Sequence, residues 1–204
     1  VAVARALAAG PRILALDEPV SNLDVETRRQ VLAELKRIQR ETGVTAIRIW
    51  LYPQHNLDRA ERLFDLGRKY NVRFIVTLEN YYYDKGGWWY DPAFYRKEYL
   101  PHVRRVVSRF RDRPEIMMWE LMNEPACPAE DAGQSCLDAL YKWAQVTSRE
   151  VKQLDPNHLI SLGTYRAGFD QATIDNFRRM HALDAVDIVS VHRTVGGLPQ
   201  KELA

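Results

Sequence analysis

Short apolar runs alternate with segments of helical periodicity along most of the chain. The run 45–51, for example, precedes a helical pattern over residues 57–70, in which Leu63, Leu66 and Tyr70 lie on one face. Strands that alternate with helices in this way predict a parallel sheet with right-handed crossovers, which is an α/β fold. The predicted strands are residues 12–16, 45–51, 72–78, 115–121, 158–162 and 186–191.

The number of strands favours an incomplete barrel. A doubly wound sheet and a TIM barrel both consist of parallel β/α repeats, so the pattern alone leaves both open. The chain has 204 residues, whereas an eight-stranded barrel usually takes about 250. We therefore expect a TIM-barrel-like arrangement of about six strands, whose two open edges could pair with another chain. A closed six-stranded arrangement, a dimer that completes the sheet and an aggregation-prone half-open barrel are the alternatives.

The charge balance and hydropathy exclude some classes of partner. A net charge of +2 gives no sign of a nucleic-acid partner, and no apolar run approaches the roughly 20 residues of a membrane span. Arg5 interrupts the apolar first ten residues, so we predict no signal peptide there. We expect no cofactor, and no metal, because no histidine lies at ligand spacing from the cysteines.

Two cysteines, Cys127 and Cys136, lie in one polar stretch. Their spacing suits a short disulfide loop, which would stabilise the fold by about 2–3 kcal/mol. A disulfide would indicate an oxidising compartment, and hence a secreted origin for this part of the chain. Two free thiols on a loop are the alternative.

The first 44 residues differ in composition from the rest, because they contain no aromatic residue. The run 4–19, which ends in Asp17-Glu18-Pro19, and the run 21–24 closely resemble the Walker B strand and D-loop of ABC transporter ATPase subunits. The resemblance implies that Asp17 binds Mg²⁺ through water and that Glu18 polarises the attacking water. However, the chain has no Gly-x-x-x-x-Gly-Lys-Ser/Thr loop to hold phosphates, so these roles are vestigial.

Four later segments follow another pattern. Arg48 lies within the run 47–52, Asn123-Glu124-Pro125 follows a predicted strand, and the runs 158–163 and 187–192 end two further strands. Together they resemble strands two, four, five and six of the retaining barrel enzymes of glycoside hydrolase family 5, especially endo-β-mannanases and cellulase-like members. The sequence is thus chimera-like, with an ATPase-like piece at 1–44 and a barrel piece at 45–204 in one structural domain.

This resemblance implies a role for each strand-end residue. Glu124 would be the general acid that protonates the glycosidic oxygen, and later the base. Asn123 would hydrogen-bond the sugar 2-hydroxyl, and Arg48 would brace the second catalytic carboxylate. His192 would lie near the reacting sugar, with a backbone-satisfied histidine at a strand end as its alternative.

The segment after residue 78 is rich in aromatic rings. Tyr82, Tyr83, Trp88 and Trp89 suit stacking on pyranose faces, although such rings could equally pack the loop on the barrel. Among the other tryptophans, we expect Trp50 and Trp119 in the core. We expect Glu120 to be structural.

Three functions compete. The first is a fragment of a glycoside hydrolase catalytic domain acting on β-1,4-mannan or β-glucan, which we expect to be inactive because the family's strand-seven nucleophile is absent. The second is a polysaccharide-binding barrel fragment that does not cut its ligand. The third is an ABC-type ATPase fragment, which the missing phosphate loop disfavours. The expected partner is therefore a polysaccharide.

Overall fold

The computed structural model describes residue 37 and residues 46–80, 95–125, 127, 133–164 and 171–190. Within these residues, four parallel strands form one sheet in chain order, β1-β2-β3-β4. The α/β fold expected from the alternating pattern is confirmed. The strands are β1 (Ala46–Trp50), β2 (Arg73–Thr77), β3 (Ile116–Glu120) and β4 (Leu159–Ser161).

Helices connect the strands and cover one face of the sheet. A π-helical turn, Tyr95–Tyr99, leads directly into the second helix. The helices are α1 (Leu57–Tyr70), α2 (Leu100–Phe110), α3 (Gln134–Leu154) and α4 (Gln171–His181). No helix in the described ranges is long and apolar enough to cross a membrane.

Helix α1 has the predicted bounds, and its buried face is not the one that Leu63, Leu66 and Tyr70 share. Its N-terminus is capped by the side chain of Asn56, and its buried residues are Leu57, Ala60, Phe64 and Gly67. Leu66 and Tyr70 are about half exposed, and Leu63 is only partly buried.

A small residue is needed on this buried face of α1. A Cβ atom on Gly67 would lie 2.3 Å from the Phe74 ring of β2. The glycine therefore lets the helix approach the sheet closely, and the apolar face is hidden in the sequence because two of its members are small.

The two faces of the sheet differ in chemistry. The face under the helices is apolar, and its residues, such as Val76, Trp119 and Ile160, are completely buried. The Trp119 indole also donates to Asp155 at 2.7 Å, which confirms its place in the core. The other face carries polar residues near the strand ends: Arg48, Thr77, Glu120 and Ser161.

The first and the last of the six predicted strands are not strands of the described sheet. Residues 12–16 lie outside the described residues. The predicted strand 186–191 is reduced to one isolated bridge, from Ser161 to Ile188, in the part of it that the structure describes. The Asp187 carboxylate accepts from the backbone N–H of Ile160, at 2.9 Å, so a side chain takes the place of a backbone hydrogen bond between strands. Val189 is 60% exposed.

A disulfide joins Cys127 to Cys136, with a Cα–Cα distance of 5.9 Å. It is one of the two alternatives that the sequence left open. Cys127 follows shortly after β3 and Cys136 lies in the first turn of α3. The bridge therefore ties the segment that follows Glu124 to the start of a long helix.

Candidate active site at the carboxyl ends of the strands

Polar side chains gather where the parallel strands end. The register pairs Trp50 with Thr77, Thr77 with Glu120, and Glu120 with Ser161, so these positions lie level across the sheet. One step beyond, Asn80 bridges to Asn123. We call Arg48, Thr77, Asn80, Glu120, Asn123 and Glu124 the carboxyl-end cluster.

A buried ion pair forms the base of this cluster. The Arg48 guanidinium donates to Glu120 Oε1 from both Nε, at 2.8 Å, and Nη2. The Thr77 hydroxyl donates to the same oxygen at 2.8 Å. Only 8% of the Arg48 side chain and 3% of the Glu120 side chain are exposed. Such a pair survives burial because charge and hydrogen bonds are satisfied together.

One expectation about this region needs correction. Glu120, which was expected to be structural, lies in the cluster, and its carboxylate pairs with Arg48. Trp50 was expected in the core, but it lies on the polar face of the sheet and is only partly buried. The Arg48 guanidinium lies 5.3 Å from its ring centroid, so the indole packs against the ion pair.

Asn123 links the ion pair to the next layer of the site. Its Oδ1 accepts from Arg48 Nη2 at 2.8 Å, and its Nδ2 donates to Asn80 Oδ1 at 3.0 Å. Its backbone N–H donates to the carbonyl of Glu79 at 2.7 Å. Backbone and side chain are therefore both held, and Asn123 is a buried amide with defined partners.

Glu124 sits in a strained backbone conformation next to this amide. Its φ is +54°, in the left-handed region that residues other than glycine seldom adopt. A hydrogen bond from its N–H to the carbonyl of Gly163, at 2.8 Å, holds the turn in place. Its side chain is half-buried at the carboxyl end of the sheet. Strain of this kind, about 1–3 kcal/mol, persists where surrounding structure fixes it and is common at active sites.

Gly163 allows the turn and the ion pair to come together. Its φ is +71°, and a Cβ there would lie 1.9 Å from the Met122 carbonyl and 2.7 Å from Glu120 Cγ. No larger residue fits without displacing backbone. The glycine after β4 therefore lets the Glu120 side chain lie directly beneath the turn that carries Glu124.

Helix α2 fixes the ends of two strands. Nε2 of His102 lies 2.7 Å from the carbonyl of Leu51 and 2.9 Å from that of Leu78, just beyond β1 and β2. Burial lowers the pKa of His102, although its hydrogen bonds to the two carbonyls act in the opposite direction. In the π-helical turn, Tyr99 donates to the carbonyl of Leu121 at 2.7 Å, and burial raises the pKa of its phenol.

The structure therefore brings together three of the predicted site residues, Arg48, Asn123 and Glu124. The other predicted site positions lie outside the described residues: His192, Tyr82, Tyr83, Trp88, Trp89, Asp17 and Glu18. Sequence reasoning missed Glu120, Thr77 and Asn80 as members of the cluster. The described residues contain no group of histidine, cysteine and carboxylate side chains that could hold a metal ion.

The sequence matches a known family over most of this region. Residues 68–196 match the family described as GH family 5 beta-mannosidase-like. The chain belongs to glycoside hydrolase family 5, as the strand-end motifs predicted. The match supplies no support for an ATPase-like segment, since it begins at residue 68, and residues 1–36 lie outside the described part of the chain.

Curated relatives carry mannanase names. The probable mannan endo-1,4-beta-mannosidase F of Neosartorya fischeri is 33% identical over 134 residues, which cover 59% of this chain and 27% of the relative. Mannan endo-1,4-beta-mannosidase F of Aspergillus fumigatus is 32% identical over 149 residues, covering 66% of this chain and 31% of the relative. The matched region thus spans about a third of these relatives or less.

Solved structures show the fold. The endo-1,4-beta-mannanase of Rhizomucor miehei superposes with a TM-score of 0.65 at 18% identity, covering 79% of this chain and 62% of that one. The exo-beta-1,4-mannosidase Op5Man5 from Opitutaceae bacterium strain TAV5 gives 0.64 at 14% identity, covering 88% and 37%. The four described β/α units are thus part of a TIM-barrel fold, and the prediction of an incomplete barrel is confirmed.

Proposed function

We propose that this chain is part of the catalytic domain of an endo-β-1,4-mannanase, in which Glu124 is the general acid and base. The observation that supports this most is the placing of Glu124 and Asn123 at the carboxyl ends of parallel strands, above a buried Arg48–Glu120 pair. Active sites of β/α barrels lie at this end of the sheet.

The chemistry follows from the position of the carboxyl group. A glycosidic oxygen is a poor leaving group, so it needs a proton as its bond to the sugar breaks. Glu124 is half-buried, so its carboxyl can meet the sugar while remaining open to the incoming water of the second step. Asn123, next to it in the chain, would hydrogen-bond the 2-hydroxyl, a contact that tightens in the transition state.

A retaining mechanism also needs a nucleophilic carboxylate about 5 Å from the acid. The resemblance covers strands two to six of the family's barrel, and the nucleophile follows strand seven. We therefore propose that these residues supply the acid/base half of the pair.

Mannan is the favoured substrate. The curated relatives bear the name mannan endo-1,4-beta-mannosidase, and the matched family is mannosidase-like. A β-glucan is the alternative. Tyr82, Tyr83, Trp88 and Trp89 would supply stacking surfaces for either sugar, and His192 would lie near the reacting ring.

Release of reducing sugar from mannan and from carboxymethylcellulose tests the catalytic proposal. We expect Glu124→Gln to lower the rate on mannan by about 10²–10⁴-fold, because general acid catalysis contributes about that much. Glu98→Gln makes the same chemical change on an exposed side chain and should leave the rate unchanged. Equal background rates in the wild type and in Glu124→Gln would reject catalysis by Glu124.

Affinity electrophoresis in gels that contain mannan tests binding separately. We expect mannan to retard the chain and expect Trp88→Ala together with Trp89→Ala to abolish the retardation. Retardation without any sugar release would favour a module that binds polysaccharide and does not cut it. Migration that mannan leaves unchanged would reject polysaccharide as the partner.

Two expectations about the rest of the chain stay proposals. A nucleotide function would need Asp17 and Glu18 to act without a phosphate loop, and calorimetric titration with ATP should give no heat. Pairing of open sheet edges between two copies would appear as a dimer mass in sedimentation analysis, whereas a monomer mass would reject it.

A further inference from the structure

We propose that Glu120 is a positioning residue that acts through Arg48 to fix the orientation of the Asn123 amide. The consequence for sugar binding rests on the proposed function, but the positioning itself is a property of the carboxyl-end cluster. We assign Glu120 no contact with the substrate, because the residue is buried and its Oε1 accepts from Arg48 and Thr77.

The amide orientation follows from the donors around it. An arginine guanidinium has only donors, so the end of the Asn123 amide that faces Arg48 must be the oxygen. The other end is then the Nδ2 group, which gives one of its two hydrogens to Asn80 Oδ1. The second hydrogen is the one that a sugar hydroxyl would accept. A flipped amide would set Nδ2 against the guanidinium and offer the sugar an acceptor instead.

The orientation therefore depends on what holds Arg48. Arg48 lies on β1 and Glu120 on β3, so the arginine side chain spans the intervening strand β2. Thr77 of β2 lies level with Glu120 and donates to the oxygen that Arg48 also binds. Side chains from β1 and β2 thus donate to one carboxylate oxygen of β3, which fixes the direction in which Arg48 Nη2 points toward Asn123.

Gly163 packs closely against Glu120. Gly163 leaves room for the Glu120 side chain, and the same glycine accepts the backbone hydrogen bond of Glu124. The carboxylate that orients Asn123 and the turn that carries Glu124 therefore share one support. The donor end of Asn123 and the acid of Glu124 are placed relative to each other by Glu120 and Gly163 together.

Nuclear magnetic resonance of the ¹⁵N-labelled chain tests the positioning. In the wild type we expect the Arg48 Nε–H to be protected from exchange with water and the Asn123 side-chain amide to give one resolved pair of signals. Glu120→Gln should expose Arg48 to exchange and shift the Asn123 pair. Glu115→Gln is the matched control, because Glu115 is a buried, arginine-paired carboxylate at the other end of the same strand. Unchanged Asn123 signals in Glu120→Gln would overturn the proposal.

A second variant keeps the test decisive if Glu120→Gln does not fold. The double variant Arg48→Leu with Glu120→Leu removes both buried charges and leaves no unpaired ion. The proposal expects this double variant to fold with altered Asn123 signals. A folded double variant with wild-type Asn123 signals would contradict it.

Binding of mannohexaose by calorimetry then tests the consequence. We expect Asn123→Ala and Glu120→Gln each to weaken binding on the order of tenfold, as for loss of a hydrogen bond in a charged network. Because Glu120 acts through Asn123, the combined variant should bind no more weakly than Asn123→Ala. Losses that multiply would show that Glu120 acts by another route. A wild type that does not bind mannohexaose would reject the proposed function, and the resonance comparison would still decide the positioning.

Discussion

Strand β3 has a buried glutamate at each end, and the two are used differently. Glu115, just before the strand, pairs with Arg68 at 2.6 Å and with Arg113 at 3.2 Å. Glu120, the last residue of the strand, pairs with Arg48 and accepts from Thr77. Both carboxylates are almost completely buried, so burial alone does not distinguish them.

Their partners make the difference. The Arg68 side chain is 61% exposed, and Arg113 also pairs with Glu61 and Asp65. Arg68 lies on α1, and Arg113 lies in the loop between α2 and β3 and also binds α1. The two arginines therefore tie α1 to the amino end of the sheet. Arg48 instead lies on a strand, is buried, and also donates from Nη2 to Asn123 beside Glu124. Similar charges serve helix packing at one end of the strand and the candidate site at the other.

The largest expected effect comes from removing the carboxylate of the site. Glu120→Leu leaves Arg48 buried without that partner, and loss of one member of a buried pair costs about 3–5 kcal/mol. Chemical denaturation of the variant should show a loss of that size in the free energy of unfolding. A loss below about 1 kcal/mol would mean that Arg48 finds water or another partner. Glu120 and Glu115 would then not differ in the way proposed.

A somewhat smaller loss of stability should follow from adding a side chain at Gly163, which packs against Glu120. Gly163→Ala places a methyl group against the Met122 carbonyl at a φ of +71°. The left-handed conformation and the collision together should cost about 2–3 kcal/mol. The same variant should shift the resonances of Asn123 and Glu124. A thermal midpoint equal to that of the wild type would contradict the close packing of this turn.

Replacing the buried glutamate at the amino end of β3 should cost less stability. Glu115→Leu leaves Arg113 with Glu61 and Asp65, and leaves Arg68 largely in water. We expect a loss of about 1–2 kcal/mol in the free energy of unfolding, with no change in mannohexaose affinity. A loss of affinity in this variant would show that the helical side of the sheet also shapes the site.

The smallest expected effect is a change in how stability depends on pH, through Asp155 at the amino end of the sheet. Burial alone would raise the pKa of Asp155, but hydrogen bonds from the Trp119 indole and from His158 lower it overall. Because the pKa is lower in the folded state, the ionised group stabilises the fold above its unfolded value of about 3.9. That stabilisation is lost as pH falls through the folded value. Urea midpoints below pH 4 should therefore fall less steeply in Asp155→Asn than in the wild type, and equal slopes would contradict this.

Much of this architecture could be predicted from the sequence. The strand and helix order follows from periodicity, because each described element buries one face of its own. Arg48, Asn123 and Glu124 could be placed together because they lie in or directly after predicted parallel strands, whose ends meet at one edge. Their chain positions were sufficient for that step.

Other features depend on register and close packing, which a single sequence does not specify. The partnership of Arg48 with Glu120 requires that two strands be level across a third, so the sequence did not reveal it. The buried face of α1 contains Ala60 and Gly67, so the more apolar Leu63, Leu66 and Tyr70 gave a false signal. The segment 186–190 has the composition of a strand, but the Asp187 side chain takes the hydrogen bond of Ile160 that a ladder would use.

One titration tests the central claim that the carboxyl-end cluster is a mannan-binding active site. Calorimetry with mannohexaose should compare the wild type with Asn123→Ala and with the amino-end control Glu115→Leu. The account predicts clear binding by the wild type and the control, and binding by Asn123→Ala that is weaker on the order of tenfold. Equal affinities of the wild type and Asn123→Ala would contradict the assignment of this cluster as the site.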